Sequence, residues 1–156
     1  MSSILGRVQR VRHELKFRDL QVARVRDVTP HLRAVTFTDD SLADFVSPSF
    51  DDHIKLFIGE GGEAEPARRD YTPRSFDNAA RELTLEFVLH GDGPAAEWAA
   101  QAAPGQRVRI GGPRGSFIIP LDYEWHWLVG DETALPAIAR RLEELPAGAR
   151  VEVLLQ

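Results

Sequence analysis

At 156 residues the chain has the length of one domain with room for part of a second. Hydrophobic residues make up 43% and charged residues 28%, an ordinary globular balance, and a net charge of -5 argues against a broad nucleic-acid-binding face. No cysteine is present, which excludes disulfides, thiolate metal sites and a cysteine nucleophile. No apolar run reaches the ~20 residues of a membrane span, and Met1–Arg7 lacks the apolar stretch of a secretory signal. A cytoplasmic protein is the expectation. Among the 19 basic residues all but Lys16 and Lys55 are Arg, the side chain suited to forked recognition of phosphate or carboxylate.

From the N-terminus to about residue 120 the chain reads as mostly β. Leu20–Val28 alternates broadly, with Leu20, Val22 and Val28 on one face, and Leu32–Thr38 is rich in β-branched residues. His53–Ile58 is a third run, and Leu83–Leu89 alternates almost strictly. Arg107–Ile110 and Ser116–Ile119 are shorter candidates. Turn clusters at Asp27–Pro30, Ser47–Ser49, Gly59–Gly62 and Gly111–Gly115 separate them. One helix interrupts, Pro94–Ala103, with Pro at its first position and Pro104-Gly105 as a stop. Several short antiparallel strands at this spacing predict a small barrel or sandwich.

After Pro120 the pattern changes. Trp125–Val129 reads as a strand and Gly130–Thr133 as a turn. Leu135, Ile138, Ala139, Leu142 and Leu145 form one helical stripe, and Val151–Leu155 is another strand. This is β-α-β, the smallest unit of a parallel sheet. A doubly wound sheet needs several more strands, so the expectation is a second domain cut short at Gln156.

Four segments carry chemistry. In Arg69-Asp-Tyr-Thr-Pro-Arg74, extended backbone sets Arg69, Tyr71 and Pro73 on one side and Thr72 and Arg74 on the other. An aromatic plane beside a guanidinium and a hydroxyl suits a flat, phosphate-bearing cofactor, but on pattern alone a surface strand whose arginines pair with carboxylates is the commoner explanation. His90-Gly-Asp-Gly-Pro-Ala-Ala96 runs from strand to glycine turn to helix start, where free amides receive phosphate; an ordinary strand-to-helix turn is the alternative. Gly111–Gly115 is a tight turn between strands, a hairpin or a cofactor loop. Gly130–Ala137 has the strand-turn-helix position of a nucleotide phosphate site but lacks the three-glycine fingerprint, and Asp131 and Glu132 suit a helix start better than a phosphate. The five histidines lack i, i+4 pairing, so no metal site is expected, and no nucleophile elbow or Walker loop occurs. Trp125 and Trp127 flank His126 and share one strand face, which reads as core.

In this order the four segments resemble the siderophore-interacting protein family, a branch of the ferredoxin-reductase-like flavoproteins, from about Leu20 to Gln156. The resemblance implies a six-stranded antiparallel FAD-binding barrel over residues 1–120, followed by the start of an α/β NAD(P)-binding domain over residues 121–156. It implies that Arg69 binds the flavin phosphates, that Tyr71 packs on the isoalloxazine ring, and that Thr72 hydrogen-bonds near the redox-active edge. His90, Gly93, Ala95 and Ala96 would line the rest of the flavin site, and Gly130 to Ala134, with Thr133, would face the nicotinamide. The implied reaction is reduction of a ferric siderophore with electrons from NAD(P)H or ferredoxin, releasing Fe(II). A basic mouth for the anionic substrate is expected at Lys55, Arg74 and Arg114. An exposed apolar remnant of the second domain would favour self-association. Two other readings stand beside this one: a flavin-binding domain without reductase activity, and a cofactor-free β-barrel interaction module.

Overall fold

The computed structural model describes residues 7–59 and 66–156 of the chain, and up to Ile118 alternation of apolar residues builds many of the described residues into strands. The reading of the opening Met1–Gly6 segment and the Glu60–Gly62 part of the glycine turn fall outside the described residues. The elements are β1 (Gln9–Arg12), β2 (Phe17–Thr29), β3 (Leu32–Thr38), β4 (Ile54–Ile58), β5 (Ala67–Tyr71), β6 (Ser75–Asp77), β7 (Glu82–Val88), the helix α1 (Pro94–Ala100), β8 (Arg107–Gly111) and β9 (Gly115–Ile118). Then follow β10 (His126–Gly130), α2 (Leu135–Glu144) and β11 (Val151–Leu155).

Seven strands form one antiparallel sheet in the order β5-β4-β8-β2-β3-β7-β6, and β1 and β9 make a separate ribbon. The expected barrel architecture is present with one strand more than the six implied. The edge strands β5 and β6 are separated only by Thr72–Arg74. Four Cα–Cα steps span at most about 15 Å, so the sheet must curl until its edges nearly meet. Thr72 stands in that seam. Neither β1 nor β6 is legible in the sequence, because runs of four and three residues are too short to show a period.

Leu20, Val22, Val35, Phe37, Ile54, Leu56, Leu83, Leu85, Phe87 and Ile110 fill the curl, joined by Ala99 of α1 and by Leu42 and Phe45 beside a short 3-10 turn. Full burial of each large side chain contributes about 1.5–3 kcal/mol. Val28 departs from the expected face and is exposed. Register shifts in the β2–β3 pairing at Val22/Arg24 and Asp27/Thr29 move the inward position to Val25. The first helix is also shorter than expected. The Gln106 side chain accepts from the Ala103 amide and donates to the Gln101 carbonyl, holding the chain in a turn after Ala100.

The Gly111–Gly115 segment is not a hairpin, since β8 pairs with β2 and β4 whereas β9 pairs with β1. It is a corner between two sheets and contains a cis Gly112–Pro113 peptide.

The second unit is the expected parallel pair, β10 beside β11, joined through α2. A Cβ on Gly130 would come within 2.6 Å of the Ala134 Cβ, so only glycine lets the chain turn from β10 into α2 this closely. Two expectations fail here. The stripe on α2 is not its buried face throughout: Leu142 is exposed, whereas Arg140 and Arg141 are buried. The barrel presents backbone carbonyls to this helix, and the arginines donate to them, Arg140 to Ser47 and Pro73 and Arg141 to Ile119 and Pro120. Nor are Trp125 and Trp127 core. They share a face and stack at 6.2 Å, but that face is exposed while His126 is buried. Among the described residues no helix is long and apolar enough to cross a membrane.

Candidate functional site

The end of β5, the start of α1 and the turn between β10 and α2 enclose a groove of about 500 Å³, within the range of small-ligand pockets. Arg69, Tyr71, Thr72, His90, Gly93, Ala95, Ala96 and Thr133 all line it. These are the eight residues that the resemblance assigns to the cofactor. A larger depression of about 970 Å³, bordered by Phe57, Trp98 and Arg107, contains none of them.

Each lining side chain has a local cause. Arg69 and Tyr71 alternate to the same face of β5, opposite Leu56 and Ile54 of β4. The Tyr71 ring packs on Phe87 at 4.4 Å, and burial pushes its hydroxyl pKa up, against a smaller opposing effect of Arg69. Gly91, at φ +91°, turns the chain from β7 into α1 in a conformation that favours glycine. No side chain caps α1 at Gly93, and the first intrahelical bond there is Glu97 N–H to the Gly93 carbonyl. The amides of Ala95 and Ala96 therefore have no helical acceptor. Their methyl groups leave room for a ligand to approach.

Charge pairing decides what the groove can hold. Of its two lining carboxylates on the barrel, Asp70 pairs with Lys55 at 2.5 Å and Glu86 pairs with Arg74 at 2.8 Å. Arg69 donates to the Arg68 carbonyl at 2.8 Å, and no carboxylate among the described residues pairs with it. An uncommitted guanidinium, two open amides and a half-buried aromatic ring match the diphosphate and flat ring of a flavin nucleotide. The residues fit FAD. On the opposite wall, Asp131 accepts from the Thr133 amide at 2.9 Å and from its hydroxyl at 2.5 Å, starting the turn into α2 as an acidic cap should. Glu132 contacts His90 across the groove. Asp92 is exposed and does not line it. Among the described residues no three His, Asp or Glu side chains gather as a metal site.

A second pocket of about 200 Å³ adjoins the groove through His53, which borders both. Lys55 and Arg114 line it together with Arg68, Phe17 and Phe57. Arg114 is exposed and pairs with no carboxylate among the described residues. Arg74 is not brought there. It is only 18% exposed at its side chain and is clasped between Glu86 of β7 and Glu143 of α2. The sequence reading missed His53 and Glu86 as lining residues. Strand alternation offered the signal, since His53 shares the outward face of Lys55, and Glu86 lies between inward Leu85 and Phe87.

The Arg74–Glu143 tie gives a pH dependence. Its hydrogen bond to Arg74 holds the Glu143 carboxyl below its ordinary value of 4.5. With the folded pKa the lower one, the stabilisation is complete above 4.5 and is lost as pH falls through the folded value. Glu143→Gln is therefore expected to lower the melting temperature at pH 7, and the two proteins should converge in thermal scans as the solution is acidified below 4.5.

Sequence comparison matches residues 21–67 and 60–117 to the siderophore-interacting FAD-binding domain, and residues 123–156 to the siderophore-interacting protein family. The NADPH-dependent ferric-chelate reductase of Escherichia coli is 39% identical over 154 residues, covering 88% of this chain and 60% of that protein. The ferric vibriobactin reductase of Vibrio cholerae is 33% identical over 155 residues, covering 88% of this chain and 57% of that one. Among solved structures, a siderophore utilization protein from T. fusca superposes with a TM-score of 0.86 at 37% identity, covering 95% of this chain and 63% of that one. The chain thus spans about three-fifths of the length of these relatives. With matches running through both the barrel and the unit that follows it, the chain belongs to the siderophore-interacting family of FAD-binding proteins.

Proposed function

We propose that this protein reduces the iron of a ferric siderophore, with FAD held in the groove and the substrate seated against Lys55 and Arg114. In this reading residues 1–120 are the FAD-binding domain and residues 121–156 begin an NAD(P)-binding α/β unit. FAD, when bound, supplies the electron-transfer chemistry, and the protein orients it and tunes its surroundings. Arg69 holds the phosphates, together with the amides of Ala95 and Ala96. Tyr71, supported by Phe87, covers the ring, and Thr72 in the seam offers its hydroxyl at the reactive edge. His90 and Gly93 complete the wall, and Thr133 faces the side from which a nicotinamide approaches. One NAD(P)H, oxidised by two electrons, balances two Fe(III) reduced to Fe(II). Siderophores bind the less charged Fe(II) more weakly, so reduction releases the metal.

The observation that carries this reading is the convergence of eight residues from three separate stretches of chain on one groove, with Arg69 paired to no carboxylate among the described residues. The experiment is titration with FAD followed by anaerobic mixing with NADPH, NADH or reduced ferredoxin, with released Fe(II) trapped by a chromogenic chelator. Absence of FAD binding would overturn the reading. FAD binding without reduction by any donor would instead favour a flavin-binding unit without reductase activity. Self-association belongs to the proposal as well, through the exposed face of Trp125, Trp127 and Val129, and is read from sedimentation velocity.

Lys55 and Arg114 have a distinct expected signature. The double change Lys55→Gln, Arg114→Gln should raise KM for an anionic ferric chelate about tenfold with kcat nearly unchanged, and added salt should shrink the difference. Lys55 meets Asp70 in an exposed pair worth at most about 1 kcal/mol, so a multiply charged substrate can recruit it.

A further inference from the structure

We propose that Arg140 is a positioning residue for the flavin site: from α2 it grips the Pro73 carbonyl and so sets where the adjoining Thr72 hydroxyl stands. The inference rests on the reading of the groove as the FAD site.

The segment Thr72–Arg74 joins the two edges of the curled sheet and belongs to neither strand. Its backbone tie to the sheet is Arg74 N–H to the Thr84 carbonyl at 2.9 Å. The Arg74 side chain is also paired with Glu86 of β7 at 2.8 Å, and the other ties come from α2. Arg140 Nη1 donates to the Pro73 carbonyl at 2.9 Å, and Arg74 donates to both Glu143 oxygens, at 2.9 and 2.6 Å. Pro73 is buried beneath this contact.

Arg140 is only 7% exposed, and four of its five N–H donors are engaged. Nη1 also donates to Ser47 Oγ at 2.8 Å, Nη2 to the Ser47 carbonyl at 2.5 Å, and Nε to Glu144 at 2.7 Å. Ser47 Oγ in turn donates to Asp52 at 2.9 Å, the residue before His53, which borders both pockets. One rigid guanidinium thus holds the chain next to Thr72 and, through Ser47 and Asp52, the chain next to His53. A buried cation is a poor source of net stability. What the planar fork supplies is geometry, and a point charge on a flexible stem cannot reproduce four directed bonds. The β-α-β unit therefore acts on the flavin site from behind the seam, without its arginine lining the groove.

The test compares the unmodified protein with Arg140→Met and Arg140→Lys. Amide hydrogen exchange without FAD is expected to rise about tenfold or more at Arg74, whose N–H is bonded to the Thr84 carbonyl, in Arg140→Met, with barrel core amides unchanged. With FAD bound, the visible circular dichroism of the flavin should change. kcat for ferric-chelate reduction should fall about 10- to 100-fold at nearly constant KM, with part of each effect restored in Arg140→Lys. If Arg140→Met does not fold, Glu143→Gln loosens the second tie at a side chain that is 64% exposed, and faster exchange at Arg74 is expected there too. Unmodified protein that takes up no FAD overturns the flavin reading, and this inference with it. Unmodified protein that takes up FAD, while the folded variants keep its exchange rates and flavin spectrum, overturns the inference alone.

Discussion

Arg69→Ala is expected to weaken FAD binding about 10- to 100-fold, the loss of roughly 1.5–3 kcal/mol that a charge-assisted hydrogen bond contributes. The size follows from what the guanidinium does in the free protein. Neighbouring Arg74 is already committed to Glu86 and Glu143, whereas Arg69 pairs with no carboxylate among the described residues. Among the described residues its side chain makes only a local bond to the Arg68 carbonyl, so the melting temperature without FAD should barely move. Arg69→Lys should recover only part of the affinity, because an ammonium keeps the charge but not the two-pronged geometry. Flavin fluorescence titration of the three proteins gives the answer. Equal affinity in all three would show that the phosphates sit elsewhere.

Phe87→Ala is expected to destabilise the barrel by about 3–5 kcal/mol, a large part of the 5–15 kcal/mol typical of a folded domain. Phe87 is fully buried, and its ring meets Tyr71 at 4.4 Å on one side and Trp98 of α1 at 5.6 Å on another. The same side chain therefore supports the core, the aromatic wall of the groove and the helix whose first amides face it. Urea denaturation should show the midpoint falling steeply. Phe87→Leu, which leaves a smaller cavity, should stay folded and still lose FAD affinity, because the Tyr71 ring loses its backing. A Leu variant with unaltered FAD affinity would mean that Tyr71 does not need that support.

Much of the site was legible in the residue order. Arg69, Tyr71 and Thr72 are adjacent, and so are His90, Gly93, Ala95 and Ala96, and local adjacency survives folding. The β-α-β unit was legible for the same reason, since the periods of β10, α2 and β11 are written within short windows. Where local pattern was ambiguous or short, the reading failed. β6 is three residues long, the register shifts in β2 moved Val28 outward, and the Trp125–Trp127 face met no second layer. The largest gap was the charged face of α2. A stripe of Leu, Ile and Ala is the expected buried surface of a helix, and nothing in the sequence marks Arg140 and Arg141 as the residues that enter instead.

The sequence by itself determined the strand and helix periods, the order of the segments that line the groove and the family to which they belong, because each is set by residues within a few positions of one another. Only the tertiary structure decided which charges remain free to act. Arg74 and Arg69 are five positions apart and chemically alike, yet Glu143, far along the chain, neutralises one and leaves the other facing the groove. Pairing depends on distances of a few ångströms between residues distant in sequence, and those distances exist only once the sheet has curled and α2 has docked across its seam.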